Sequence, residues 1–242
     1  GTAITEGIKL TKDLANLPAN LCTPTIMAES AKKLANEAGL TINILDEAAI
    51  KKAGMGGLLA VAQGSQEPVK FITLEYRGAA EQKPVVLVGK GVTFDSGGIC
   101  LKPAAGMEEM KYDMSGAASV MGIFKTITEL KLPLNVVGIM PLTENLPSGT
   151  AVKPGDVIKT LSGLSVEVIN TDAEGRLILA DALTYSERFN PDVVIDMATL
   201  TGAIIVALGA VATGMMSNNI ELALEIEKAG QQSQDRVWPL PL

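Results

Sequence analysis

The chain has 242 residues, 47% of them hydrophobic but only 3% aromatic, with a formal net charge of -7 and no histidine. That length and composition suit one large α/β core built from Ala, Val, Leu and Ile, and the acidic balance disfavours non-specific nucleic-acid binding. The longest apolar run, Ala203 to Ala212, is too short for a membrane span and is broken by Gly209. No signal-peptide pattern opens the chain, so no membrane association and a cytoplasmic setting are expected.

In chain order, Thr23 and Pro24 read as the cap and first position of a helix running to Ala38, with Gly39 as its stop. Strands are predicted at Thr41 to Leu45, Phe71 to Tyr76, Val85 to Val88, Asn135 to Met140, Val166 to Ile169 and Val193 to Met197. Helices fill the gaps at Ser115 to Leu130, Leu177 to Phe189 and Ile220 to Gly230. Gly64 to Pro68 and Leu146 to Gly149 read as loops. The alternation predicts an α/β fold, a mostly parallel central sheet with helices on both faces.

Chemistry-bearing residues gather at the strand ends. Asn170-Thr171-Asp172-Ala173-Glu174-Gly175-Arg176-Leu177 follows an apolar run and sets two acids and a guanidinium at alternate positions. Positions two apart on a helix diverge, so Asp172 and Glu174 can share a ligand only from an extended or looped segment. The alternative is a solvated acidic turn at the start of a helix. Upstream, Pro84 to Gly89 reads as a buried strand leading into Lys90 and Asp95, and beyond these lie Lys102 and Asp113. In open α/β sheets such strand-end loops face one cleft.

Four carboxylates, Asp95, Asp113, Asp172 and Glu174, cannot all stay ionised in one cleft unless cations offset them, and oxygen-liganded divalent metals are the common solution. Lys90 could join a metal only as the free amine, with its pKa well below the ordinary value. The absence of histidine excludes an H-E-x-x-H helix and any Ser-His-Asp or Cys-His arrangement. Cys22 and Cys100 form no C-x-x-C, and Cys100 reads as a small buried apolar residue. Gly89-Lys90-Gly91 lacks the order of a phosphate loop.

Asn170 to Leu177, Val88 to Gly98, Met110 to Met114, Asn16 to Pro24 and Ala198 to Ala203 together resemble the catalytic domain of the leucyl (cytosol) aminopeptidases. The resemblance implies a two-metal exopeptidase that releases leucine or other apolar N-terminal residues from peptides by metal-activated water attack. It implies that Lys90, Asp95, Asp113 and Glu174 hold a tightly bound ion, and that Asp95, Asp172 and Glu174 hold an exchangeable one. The ions would be Zn or Mn, with Mg or Co accommodated at the exchangeable site. Lys102 would polarise the scissile carbonyl, and Arg176 would hold a bicarbonate ion as general base. Met110, Thr199, Leu200 and Gly202 would line the side-chain pocket.

The resemblance also implies a homo-hexamer for the full-length protein. Some relatives bind DNA, which this acidic segment does not support. Against the family pattern, the smaller front domain is not in the chain. The sequence also stops at Trp238 to Leu242, where a further segment is expected to complete the catalytic domain. Residues 1 to 242 are expected to form a single metallo-aminopeptidase catalytic domain.

Overall fold

The computed structural model describes every residue from Gly1 to Leu242. Two compact units divide the chain, Gly1–Thr199 and Leu200–Leu242. The first contains α1 (Thr2–Asn16), α2 (Pro24–Ala38), β1 (Thr41–Leu45), α3 (Glu47–Ala53), α4 (Gly56–Ala62), β2 (Lys70–Arg77), β3 (Val85–Gly89) and β4 (Gly91–Asp95). It continues with α5 (Ser115–Leu130), β5 (Asn135–Asn145), β6 (Val157–Lys159), β7 (Ser165–Glu167), α6 (Glu174–Ser186) and β8 (Val193–Met197). The second unit holds α7 (Ala203–Leu208), β9 (Thr213–Met215), α8 (Ile220–Ser233) and β10 (Val237–Pro239), with β9 and β10 paired in parallel.

Six strands make the central sheet in the order β1-β2-β5-β3-β8, with β4 also on β5. β3 runs parallel to β5 and β8, and β4 runs parallel to β5. β2 is antiparallel to both β1 and β5. Successive side chains of a strand point to opposite faces, so each strand feeds two cores. Ile72, Leu74 and Met140 pack with Leu14 of α1, Leu34 of α2 and Phe124 of α5. Phe71, Val86, Val88 and Ile139 pack with Leu58 of α4 and Ile178 of α6. The predicted α/β sheet with helices on both faces is what forms.

Local chemistry accounts for the best-placed elements. The Thr23 hydroxyl accepts from the Ile26 N–H, Pro24 needs no donor at the first helical position, and Gly39 closes α2 at φ +67°. α1 crosses α5 at glycine: a Cβ on Gly7 would overlap Thr126 Oγ1, and one on Gly122 would overlap Thr11 Oγ1. α4 has no side-chain cap of its own. Instead the buried Asp181 of α6 accepts from the Leu58 N–H at 2.9 Å and the Leu161 N–H at 2.7 Å.

Four stretches differ from the sequence expectation. β5 extends five residues beyond Met140 to Asn145, because its partner changes from β3 to β4 along its length. Pro141, which has no N–H, sits at that change-over, between Ile139 opposite β3 and Leu142 opposite β4. Val166 and its neighbours do not enter the central sheet but form a short antiparallel pair with β6, and Ile169 is 68% exposed. The predicted loop after Lys90 is instead β4, and α6 begins at Glu174, earlier than Leu177.

Candidate metal centre

Lys90 lies in the break between the collinear strands β3 and β4. Its backbone is fixed from both sides: its N–H donates to Met197 O at 2.9 Å and its carbonyl accepts from the Ala117 N–H at 2.9 Å. The glycines on either side allow this close packing, since a Cβ on Gly89 would stand 2.5 Å from Gly116 O and one on Gly91 2.6 Å from Pro141 O. Asp95 ends β4, and Asp113 lies between the short 3-10 helix Met107–Tyr112 and α5. Asp172 sits in the 3-10 turn Thr171–Ala173, capped by Asn170 Oδ1 on its N–H at 2.9 Å, and Glu174 opens α6. A 3-10 turn leading into a helix start resolves the requirement read from the sequence, because Asp172 lies outside the regular helix that Glu174 opens.

The parts converge. Ligand oxygens of Asp95, Asp172 and Glu174 lie within 4.8 Å of one another. Lys90, only 2% exposed, directs its ammonium to Asp113 Oδ1 at 2.7 Å, Glu174 Oε1 at 2.8 Å and Thr199 O at 2.8 Å. Thr199 Oγ1 donates to the same Asp113 oxygen at 2.7 Å. Lys102 bridges Asp95 Oδ2, at 2.8 Å, and Asp172 Oδ1. Of the remaining predicted residues, Arg176 is exposed on the first turn of α6, Met110 is half-buried, and Leu200 and Gly202 are exposed residues of the second unit. Cys100, expected to be buried, is half-buried.

Sequence reasoning passed over two residues. Buried Asn145 donates through Nδ2 to Asp95 Oδ1 at 2.8 Å and to Thr171 O at 3.0 Å. Thr171 Oγ1 donates to Gly97 O at 2.6 Å and accepts from the Cys100 N–H at 2.9 Å. Each contact spans dozens of positions, so only the topology reveals it.

The electrostatics favour added cations. Burial pushes the Lys90 ammonium down, but the charges of Asp113 and Glu174 outweigh it, and its pKa lies above the ordinary lysine value. All three of its protons have acceptors, so in this structure it is a donor and not a free amine. One ammonium compensates only one of two carboxylates. Burial accordingly raises Asp113 to about 7 against the pull of Lys90, and Glu174 is also raised, again chiefly by burial. Asp113 Oδ2 is buried without a hydrogen-bond partner. Four carboxylates against two lysines, one orphaned oxygen and three convergent acids make a donor set that fits hard or borderline divalent ions.

A profile of the cytosol aminopeptidase family, catalytic domain, matches residues 9–242. The chain belongs to this family. A probable cytosol aminopeptidase of Thioalkalivibrio sulfidiphilus is 59% identical over 243 residues, covering 100% of this chain and 49% of that protein. One from Nitrosomonas europaea is 58% identical over 243 residues with the same coverage. One from Legionella pneumophila (strain Corby) is 58% identical over 241 residues, covering 99% of this chain and 50% of its own length. The chain therefore spans about half the length of the curated relatives it matches. No helix is long and apolar enough to cross a membrane.

Proposed function

We propose that this cytosol aminopeptidase family chain is the catalytic part of a metal-dependent exopeptidase that releases N-terminal residues, preferably leucine or other apolar ones, from peptides. The observation that carries the reading is the convergence of Asp95, Asp172 and Glu174 within 4.8 Å beside the Lys90–Asp113–Glu174 group. Asp95, Asp113 and Glu174, with Lys90 once it has given up a proton, are assigned to one ion, and Asp95, Asp172 and Glu174 to a second, with Zn or Mn as the metals. Divalent ions bound there supply Lewis-acid activation of the scissile carbonyl and of water.

The chain's own residues carry the rest. Lys102, 20% exposed at its side chain, stands at the edge of the cluster as a cationic donor for charge developing on the carbonyl oxygen. The cleft carboxylates are engaged by lysines and there is no histidine, so no side chain is left as an obvious general base. Arg176, exposed in the first turn of α6, is assigned to hold bicarbonate for that task. Met110 and Thr199 are assigned to the apolar pocket. The hexamer rests on the family resemblance alone, and the cytoplasmic setting on the printed names of the relatives.

The test is hydrolysis of leucine p-nitroanilide by the full-length protein with Mn2+ or Zn2+ supplied, then chelated, then restored. Activity that follows the metal supports the reading. Turnover indifferent to chelation would overturn it.

A further inference from the structure

We infer that Asn145 is a positioning residue of the metal centre: its side-chain amide sets the rotation of the Asp95 carboxylate and ties it to the loop that carries Asp172. The inference rests on the metal-binding reading above. Asn145 is 2% exposed at the end of β5, directly opposite Asp95 in the β4–β5 pairing. Its Nδ2 donates to Asp95 Oδ1 at 2.8 Å and to Thr171 O at 3.0 Å. Both partners are acceptors only, so the amide orientation is fixed by the network and both of its hydrogens are committed.

Asp95 is thereby held at one oxygen. Oδ1 also accepts from the Gly97 N–H at 2.9 Å, while Oδ2 is the oxygen turned towards Lys102, at 2.8 Å. The same asparagine clamps the turn after Asp95 through its main chain, since Ser96 donates to Asn145 O from both N–H, at 3.0 Å, and Oγ, at 2.7 Å. Thr171 is the residue before Asp172, so the second amide hydrogen fixes the other half of the centre. Gly98, at φ +66°, packs against the amide, and a Cβ there would stand 2.7 Å from Asn145 Oδ1. Aspartate at 145 would have the same shape but would face Asp95 Oδ1 and a carbonyl with no proton to offer. Alanine would leave Asp95 Oδ1 held by the Gly97 N–H alone.

The experiment measures binding of Mn2+ and Zn2+ by calorimetry, and the d–d absorption of bound Co2+, in the full-length parent and in Asn145→Ala and Asn145→Asp. Metal-free thermal unfolding is recorded beside them. Loss of an outer hydrogen bond to a ligand typically weakens metal binding 10- to 100-fold, and that weakening, with an altered Co2+ spectrum, is expected in both variants. Parental affinity and spectrum in either folded variant overturns the inference, and so does failure of both to fold, which would make Asn145 a holder of the fold. A parent that binds none of the three ions overturns the metal reading itself, an outcome distinct from variants that bind like a binding parent.

Discussion

Gly175→Ala tests how far the metal centre depends on a fixed Lys90. Gly175 is the second residue of α6, and its φ lies outside the left-handed region, so the backbone alone does not demand glycine there. The demand comes from across the cleft: an added Cβ would stand 2.6 Å from Lys90 Cε, 2.8 Å from Nζ and 3.0 Å from Cδ. Carbon atoms in ordinary contact sit about 3.5–4.0 Å apart, so the lysine tail must retreat by about 1 Å. An exposed lysine would simply swing aside. This one is 2% exposed, and its ammonium makes three hydrogen bonds of 2.7 to 2.8 Å.

The gain from alanine in a helix is at most about 1 kcal/mol, whereas losing one hydrogen bond to a charged group costs about 1.5–3 kcal/mol. The displacement wins, and a net loss of about 0.5–2 kcal/mol is expected in urea unfolding. The effect on function should be larger, because a misplacement of about 1 Å can cost about 100-fold in rate. The assays are kcat/KM on leucine p-nitroanilide and metal titration, together with the double variant Lys90→Ala/Gly175→Ala. With the lysine tail gone, alanine at 175 should no longer destabilise, which a double-mutant cycle reads directly. Parental kcat/KM and stability in Gly175→Ala alone would refute the reasoning, since Lys90 would then have room to yield.

The fold was legible where local chemistry and burial agree. α2 is written in Thr23, Pro24 and Gly39, each acting within a few residues, and β3 in a run of apolar side chains that the sheet buries on both faces. α4 was not legible, because Gly56 and Gly57 are poor helix formers and the helix start is capped by Asp181, 123 residues away from Leu58. β4 was hidden by Lys90, whose charge reads as the end of a buried strand until Asp113 and Glu174 are seen beside it. The candidate site was legible in its acids and lysines, because so many charges at strand ends demand a common partner. Asn145 carries no charge and lies five residues beyond the end of the strand read from the sequence. Its part depends on Asp95 arriving from β4 and Thr171 from the 3-10 turn before α6, which no local pattern encodes.

Lys102→Ala is expected to cut turnover on leucine p-nitroanilide by about two to three powers of ten, as for loss of one oxyanion donor, with metal content by elemental analysis unchanged. Parental turnover would remove Lys102 from the chemistry. Gly7→Ala puts a methyl into Thr126 Oγ1 and 2.5 Å from Gly122 O, and overpacking of this kind costs about 1–3 kcal/mol in urea unfolding; an unchanged midpoint would mean that α1 slides freely on α5. Asp181→Asn separates burial from hydrogen bonding. Burial pushes the Asp181 carboxyl above its ordinary value, against the pull of the Leu161, Leu58 and Gly57 N–H groups. The folded chain therefore binds this proton more tightly than the unfolded chain does. The group favours folding most below the ordinary carboxylate range, and that contribution fades as pH rises through the folded-state value. Asparagine does not titrate, but its NH2 must face the N–H of Leu58 or of Leu161, at a cost of about 1–3 kcal/mol. The parent should thus exceed the variant in unfolding free energy at every pH, by more at mildly acidic than at neutral pH. Urea unfolding at both values decides it: a gap that widens towards neutral pH would mean that the N–H groups outweigh burial, and that Asp181 is a charged cap which the folded state prefers ionised.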